Sequence, residues 1–125
     1  MNTKLSKKIT DVVGIVLWTN NLDKMTAFYK DTLELPVHSL KADFVSFEFG
    51  NFRLNIGTHS EIKGASKDPL RTMLHLSVED IDHWYRKLKE CQVSFIRPPE
   101  LEKWGRVATF PDPDGNTLQL LEFHS

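Results

Sequence analysis

The feature that most constrains this chain is a repeat of pattern rather than of residues. Ile15-Val-Leu-Trp-Thr-Asn-Asn-Leu22-Asp-Lys-Met-Thr-Ala-Phe-Tyr29 reads as a short apolar strand, a polar corner and a helix. Leu74-His-Leu-Ser-Val-Glu-Asp-Ile81-Asp-His-Trp-Tyr-Arg-Lys-Leu88 repeats that order 59 residues later. Leu22, Met25, Phe28 or Tyr29, and Leu33 recur at helical spacing, as do Ile81, Trp84, Leu88 and Cys91. Asn20 or Asn21, and Glu79 or Asp80, stand where a side chain can cap the free amides of a first turn.

Strand-like sequence follows each helix. Phe44 to Phe49, the turn Gly50-Asn51 and Phe52 to Ile56 read as a hairpin. Arg106 to Phe110, the turn Asp112-Pro-Asp-Gly-Asn116 and Thr117 to Phe123 form the matching pair. Further short strands are expected near Val37 to Ser39 and Ser94 to Ile96, with Arg97 to Gly105, which holds Pro98 and Pro99, as a loop. Each half therefore reads β-α-β-β-β. Module one spans about 10–57, a linker about 58–71 and module two about 72–123, within a single domain over 1–125. Halves of about 60 residues are marginal alone, so the two must share a core.

On these motifs the chain resembles the vicinal-oxygen-chelate superfamily, the glyoxalase, bleomycin-resistance and dioxygenase type, over roughly residues 12 to 123. The marks are Asn21-Leu-Asp-Lys-Met-Thr-Ala-Phe-Tyr-Lys-Asp-Thr-Leu-Glu-Leu35 after a strand, and Trp104-Gly105 before a strand ending in Phe110-Pro-Asp-Pro-Asp-Gly-Asn116. Asp-Pro-Asp-Gly alone is a generic turn; the duplication and the separation of the motifs make it specific. The resemblance implies an α+β fold in which duplicated βαβββ modules form an eight-stranded cupped sheet. Helices would lie on its convex face and a small-molecule pocket on its concave face.

Strand alternation assigns the faces independently. Val13, Ile15 and Leu17, and Leu74, Leu76 and Val78, are expected on a helix-covered face; Leu54, Ile56, Leu118 and Leu120 are expected in the core, and Ala108 and Phe110 packed against a helix. Gly14, Val16, Trp18, Arg53 and Asn55, and Met73, His75, Ser77, Val107, Thr109, Gln119 and Leu121, then look into the cup. Metal-dependent members of the family bind a divalent ion through His and Glu at four strand positions, which fall here on Gly14, Asn55, Met73 and Gln119. Glycine, two neutral amides and a thioether do not make a site for zinc, iron, nickel or manganese. No metal and no cofactor are therefore expected, which excludes chemistry that uses such an ion as electrophile.

Ligand-binding candidates are Trp18, Arg53, Asn55, Met73, His75, Thr109 and Gln119, with Trp104 at the rim. Asn55 and Gln119 offer amides to a ligand or bond to each other and close an inert core. His75 is a pocket-wall residue, a ligand contact or an acid/base group, and Glu48 is a general base or an arginine's partner. Cys91, ending the second stripe, reads as buried. Three functions remain open: a metal-independent binding protein that sequesters a drug or metabolite, a metal-independent enzyme working through His75 or Glu48, and an interaction module whose cup is filled.

Composition narrows the partners. A net charge of −1 gives no support for nucleic acid or an anionic membrane. The longest apolar run, Val12 to Trp18, is far short of a membrane span, and the first residues lack the apolar core of a secretory leader. With one cysteine and no internal disulfide, a cytoplasmic protein is expected, and the open edges of a cupped sheet point to a homodimer.

Overall fold

A computed structural model describes residues 7–124. Strand β1 (Gly14–Thr19) leads into helix α1 (Leu22–Ala27), which continues as one wide π turn over Phe28–Thr32. β2 (Val37–Leu40), β3 (Phe44–Phe49) and β4 (Phe52–Thr58) complete module one. β5 (Met73–Ser77), α2 (Ile81–Glu90), β6 (Arg97–Glu102), β7 (Gly105–Pro111) and β8 (Thr117–Phe123) make module two. The expected βαβββ duplication and α+β class are observed. The eight strands are hydrogen-bonded as two sheets of four, ordered β1-β4-β3-β2 and β5-β8-β7-β6. In each, the first strand runs parallel to the last and forms an edge.

Local chemistry explains where the helices begin. The Asn21 side chain accepts from the Lys24 amide at 3.4 Å, and Asp80 accepts from the His83 amide at 3.1 Å. Glu122 on β8 takes a further free donor, the Ile81 amide, at 2.9 Å. In the first helix the bond from Leu33 N–H to Phe28 O spans five residues, the signature of a π turn. It leaves Leu22, Met25, Tyr29 and Leu33 on one buried stripe.

A single core joins the modules. The α1 stripe and Ile81 and Leu88 of α2 pack with Phe47 and Ile56 of one sheet and Phe110 and Leu118 of the other. Each such buried side chain stabilises by about 1.5–3 kcal/mol relative to exposure. Phe110 lies 6.4 Å from Phe28 and 5.4 Å from Phe95, so it touches both halves. A polar contact crosses this core: the buried Tyr29 hydroxyl donates to Asp112 Oδ2 at 2.8 Å. Asp112 also accepts from the amides of Asp114 and Asn116 and from Asn116 Nδ2. Burial holds both the Tyr29 hydroxyl and the Asp112 carboxyl above their ordinary pKa, and the bonds Asp112 receives only partly offset this for the carboxyl.

Four expectations are corrected. Val13 and Ile15 have core parity yet are 65% and 40% exposed, because they lie where the edge strand β1 begins, whereas Leu17 further along it packs against the core. The strand expected at Ser94 to Ile96 is found at Arg97–Glu102, where Pro98 and Pro99 are tolerated because the strand is an edge with a register shift. Trp104 therefore sits on a hairpin turn rather than on a long loop. Cys91 is exposed, since the helix ends there and the chain turns through Gln92 at φ 70°.

Candidate functional site

Each sheet has one face under its helix and one open face, and the candidate residues divide between the two open faces. On module one, Gly14, Val16, Glu48, Arg53 and Asn55 line a shallow hollow of about 770 Å³. Asn55 Oδ1 accepts from Ser46 Oγ at 2.5 Å, and Nδ2 donates to Ile15 O at 3.2 Å. Arg53 donates twice to Glu48 Oε2, at 3.0 and 3.2 Å. Glu48 is thus paired with a cation, as one of its two readings required. Trp18 lies at the end of β1, 42% exposed, with Phe44 and His59 against its ring.

On module two the polar groups form a row across three strands. His75 Nε2 meets Gln119 Oε1 at 2.9 Å, and Gln119 Nε2 donates to Thr109 Oγ1 at 3.0 Å. Because the amide oxygen faces the ring, Nε2 carries the proton and a neutral His75 keeps Nδ1 as a free acceptor. His75 and Met73 are exposed, whereas Thr109 is buried and acts through Gln119. The Trp104 ring lies 5.4 Å from that of Phe123, tilted by 44°, and Phe123 shares the Gln119 face of β8 by alternation. Within one chain Trp18, Arg53 and Asn55 stand on one sheet, and Met73, His75, Thr109, Gln119 and Trp104 on the other. Asn55 and Gln119 do not bond to each other; each is held inside its own module.

The donor set does not fit a divalent ion. A Cβ placed on Gly14 would lie 2.6 Å from Arg53 O, so that position lacks room even for the first atom of a ligating side chain. Both amides already have protein partners. Among the described residues no three His, Cys, Asp or Glu side chains converge.

Sequence reasoning missed a cleft of about 690 Å³ between the modules, walled by Leu33, Leu35, Phe49 and Phe52 on one side and Leu74, Leu76, Val78 and Trp84 on the other. No local pattern announces it, because its walls come from segments far apart in the chain.

Residues 11–120 match the model of the Glyoxalase/Bleomycin resistance protein/Dioxygenase superfamily. The chain belongs to that family. It is 33% identical over 122 residues to the uncharacterized protein YraH of Bacillus subtilis (strain 168), covering 87% of this chain and 95% of that one. Among solved structures, a glyoxalase/dioxygenase from Nostoc punctiforme superposes with a TM-score of 0.79 at 18% identity, over 100% of this chain and 99% of the other. TnmS3, an antibiotic binding protein from Streptomyces sp. CB03234, superposes with a TM-score of 0.72 at 21% identity, over 95% and 100%. At these identities the two structures speak for the fold. No helix of the described residues is long and apolar enough to cross a membrane.

Proposed function

We propose that this family member binds a small organic molecule without a metal ion, on the open faces of its two sheets, and that it works as a homodimer. The observation that carries this reading is the fixed row His75–Gln119–Thr109 on a face no helix covers, beside the half-exposed Met73. Oriented amide and imidazole groups beside apolar side chains such as Met73 and Leu121 are the usual anatomy of a small-molecule site, and the ion-paired Arg97, Glu100 and Glu102 of β6 border it on the same face. The antibiotic-binding description of TnmS3 supports sequestration as the outcome. An exposed Cys91 free of any disulfide suits a reducing, cytoplasmic setting. Among the described residues no side chain fills the hollow on module one's open face, which weighs against a purely structural module. A second reading, proton transfer to a bound ligand, rests on the free Nδ1 of His75 alone, since Glu48 is already paired with Arg53.

The dimer completes the cup. Backbone groups alternate along a strand, and with Val13 O bound to Arg53 N, those of Gly14, Val16 and Trp18 point to the open edge of β1. With Val78 N bound to Leu121 O, those of Met73, His75 and Ser77 point to the open edge of β5. A twofold partner using both edges would pair them and bring one copy's Trp18 and Asn55 opposite the other's His75 and Gln119.

Native mass spectrometry of gently purified protein tests both parts. The expected result is a species of twice 14.4 kDa carrying a non-covalent organic adduct. Mixing Asn55→Ala with Gln119→Ala protein should then regenerate intact cups and recover about a quarter of the adduct. A monomer at micromolar concentration overturns the dimer; an adduct retained in both single variants overturns the site.

A further inference from the structure

We infer that the linker-side end of module one holds a pocket selective for an uncharged planar aromatic molecule, built between Trp18 and residues 61–67. It shares Trp18 and Val16 with the reading above but does not depend on the dimer or on the His75–Gln119–Thr109 row. The cavity is about 590 Å³, within the range of drug-sized ligands. One wall is Val16, Leu17 and Trp18 of β1; the other is the linker from Glu61 to Lys67, and Asp114 and Asn116 close the end.

Three observations set its chemistry. First, Trp18, Gly57 and Phe44 lie directly opposite one another across β1, β4 and β3. A Cβ on Gly57 would come within 2.8 Å of Trp18 and 2.7 Å of Phe44, so glycine is what lets both rings lean over β4. Second, the indole is held on two sides yet remains 42% exposed: Phe44 lies 6.3 Å from it, and His59 meets it edge-on at 5.4 Å. His59 is itself fixed, because its Nδ1 accepts from the Glu61 amide at 3.1 Å. An indole immobilised by neighbours, with free ring surface in a cavity, offers stacking area at little ordering cost.

Third, the linker wall is pinned at both ends. Ile62 N–H bonds to His59 O at 3.1 Å, and Ser66 N–H to Asp114 O at 2.7 Å. The ionisable groups on the walls are Glu61, Lys63, Lys67 and Asp114, two of each sign, so the pocket favours no charge. Shape and stacking are left as the selective features.

The test uses 2-naphthol and its saturated counterpart decahydro-2-naphthol as probes, with the intact ¹⁵N-labelled protein. The Trp18 indole N–H signal is assigned from the spectrum of Trp18→Phe. We expect 2-naphthol to shift that signal saturably with a Kd below about 1 mM, and decahydro-2-naphthol to bind at least tenfold more weakly. Trp18→Ala, and Gly57→Ala with an unchanged circular dichroism spectrum, should each weaken 2-naphthol at least tenfold. Equal affinity for the two probes, no saturation, or full affinity in Trp18→Ala overturns the proposal. A resident adduct lacking from native spectra with the Trp18 shift intact would remove the earlier reading and leave this pocket standing.

Discussion

The two modules share one topology and have put different chemistry on corresponding surfaces. Module one's open face is hollow, glycine-floored at Gly14 and Gly57, and carries the Glu48–Arg53 pair and the Trp18 cluster. Module two's open face is knitted into a row, His75–Gln119–Thr109, with Trp104 tilted against Phe123 at its far end. Their helices differ likewise: α1 is six residues and a π turn, whereas α2 is ten residues capped by both Asp80 and Glu122. A duplicated fold thus keeps its packing parity while each copy is free to change the residues that parity turns outward. One half supplies stacking surface and space, the other supplies oriented polarity.

The comparison can be broken hardest in the core. Phe110→Ala should cost about 3–5 kcal/mol in denaturant unfolding, and more than Phe47→Ala. Both rings are fully buried, but only Phe110 touches aromatic residues of both modules. Equal losses would show that the halves are stabilised separately. Tyr29→Phe removes one donor from a buried carboxylate and should cost about 1.5–3 kcal/mol, with both halves of the molecule losing stability in one transition. Two separate transitions would mean that the contact is not a joint.

Gly14 and Met73 occupy equivalent places. Gly14→Ala presses a methyl against Arg53 O and should cost about 1–3 kcal/mol. Met73→Ala, on a half-exposed side chain, should change thermal stability by less than that. If the two substitutions prove equal, the hollow is not a property of module one.

The smallest effect expected is in pH dependence, where two aspartates of opposite sign sharpen the contrast between interior and surface. Burial raises the Asp112 pKa above 3.8 in the folded protein, so the folded state binds that proton more tightly than the unfolded one. Stability from this group therefore rises as pH falls from its folded pKa toward 3.8, and is flat outside that window. Asp82 is the reverse: a hydrogen bond from Arg106 lowers its pKa, and its contribution is lost as pH falls below 3.8. Melting curves from pH 3 to 6 should show Asp112→Asn lacking the acid-side gain, and Asp82→Asn lacking the loss. A wild-type curve unchanged by Asp112→Asn would contradict the first assignment.

Much of this was legible in the residues because parity and periodicity are local. Leu54, Ile56, Leu118 and Leu120 alternate out of solvent as their spacing says, and Asn21 and Asp80 cap as their side chains allow. What alternation cannot say is whether anything covers the face it names, and Val13 and Ile15 are the cost of that gap. Pro98 and Pro99 read as loop because proline lacks a donor, yet an outer strand does not need one there. Cys91 continued a helical stripe one position past the turn that ends it. Neither the cleft between the modules nor the linker pocket has a local signature, since each is made by segments far apart in the chain.

The buried tyrosine has a consequence for synthesis. Tyr29 and Asp112 are separated by 83 positions, so the hydroxyl of the first helix has no native acceptor until residue 112 has left the ribosome. At typical elongation rates that delay is about 4–17 s. During it the first half cannot settle as a finished unit, because its interior still holds an unmatched donor and an unfilled place for Phe110. Folding of module one is therefore tied to the arrival of β7 and the turn after it, and truncation at the linker removes the acceptor and Phe110 from module one permanently.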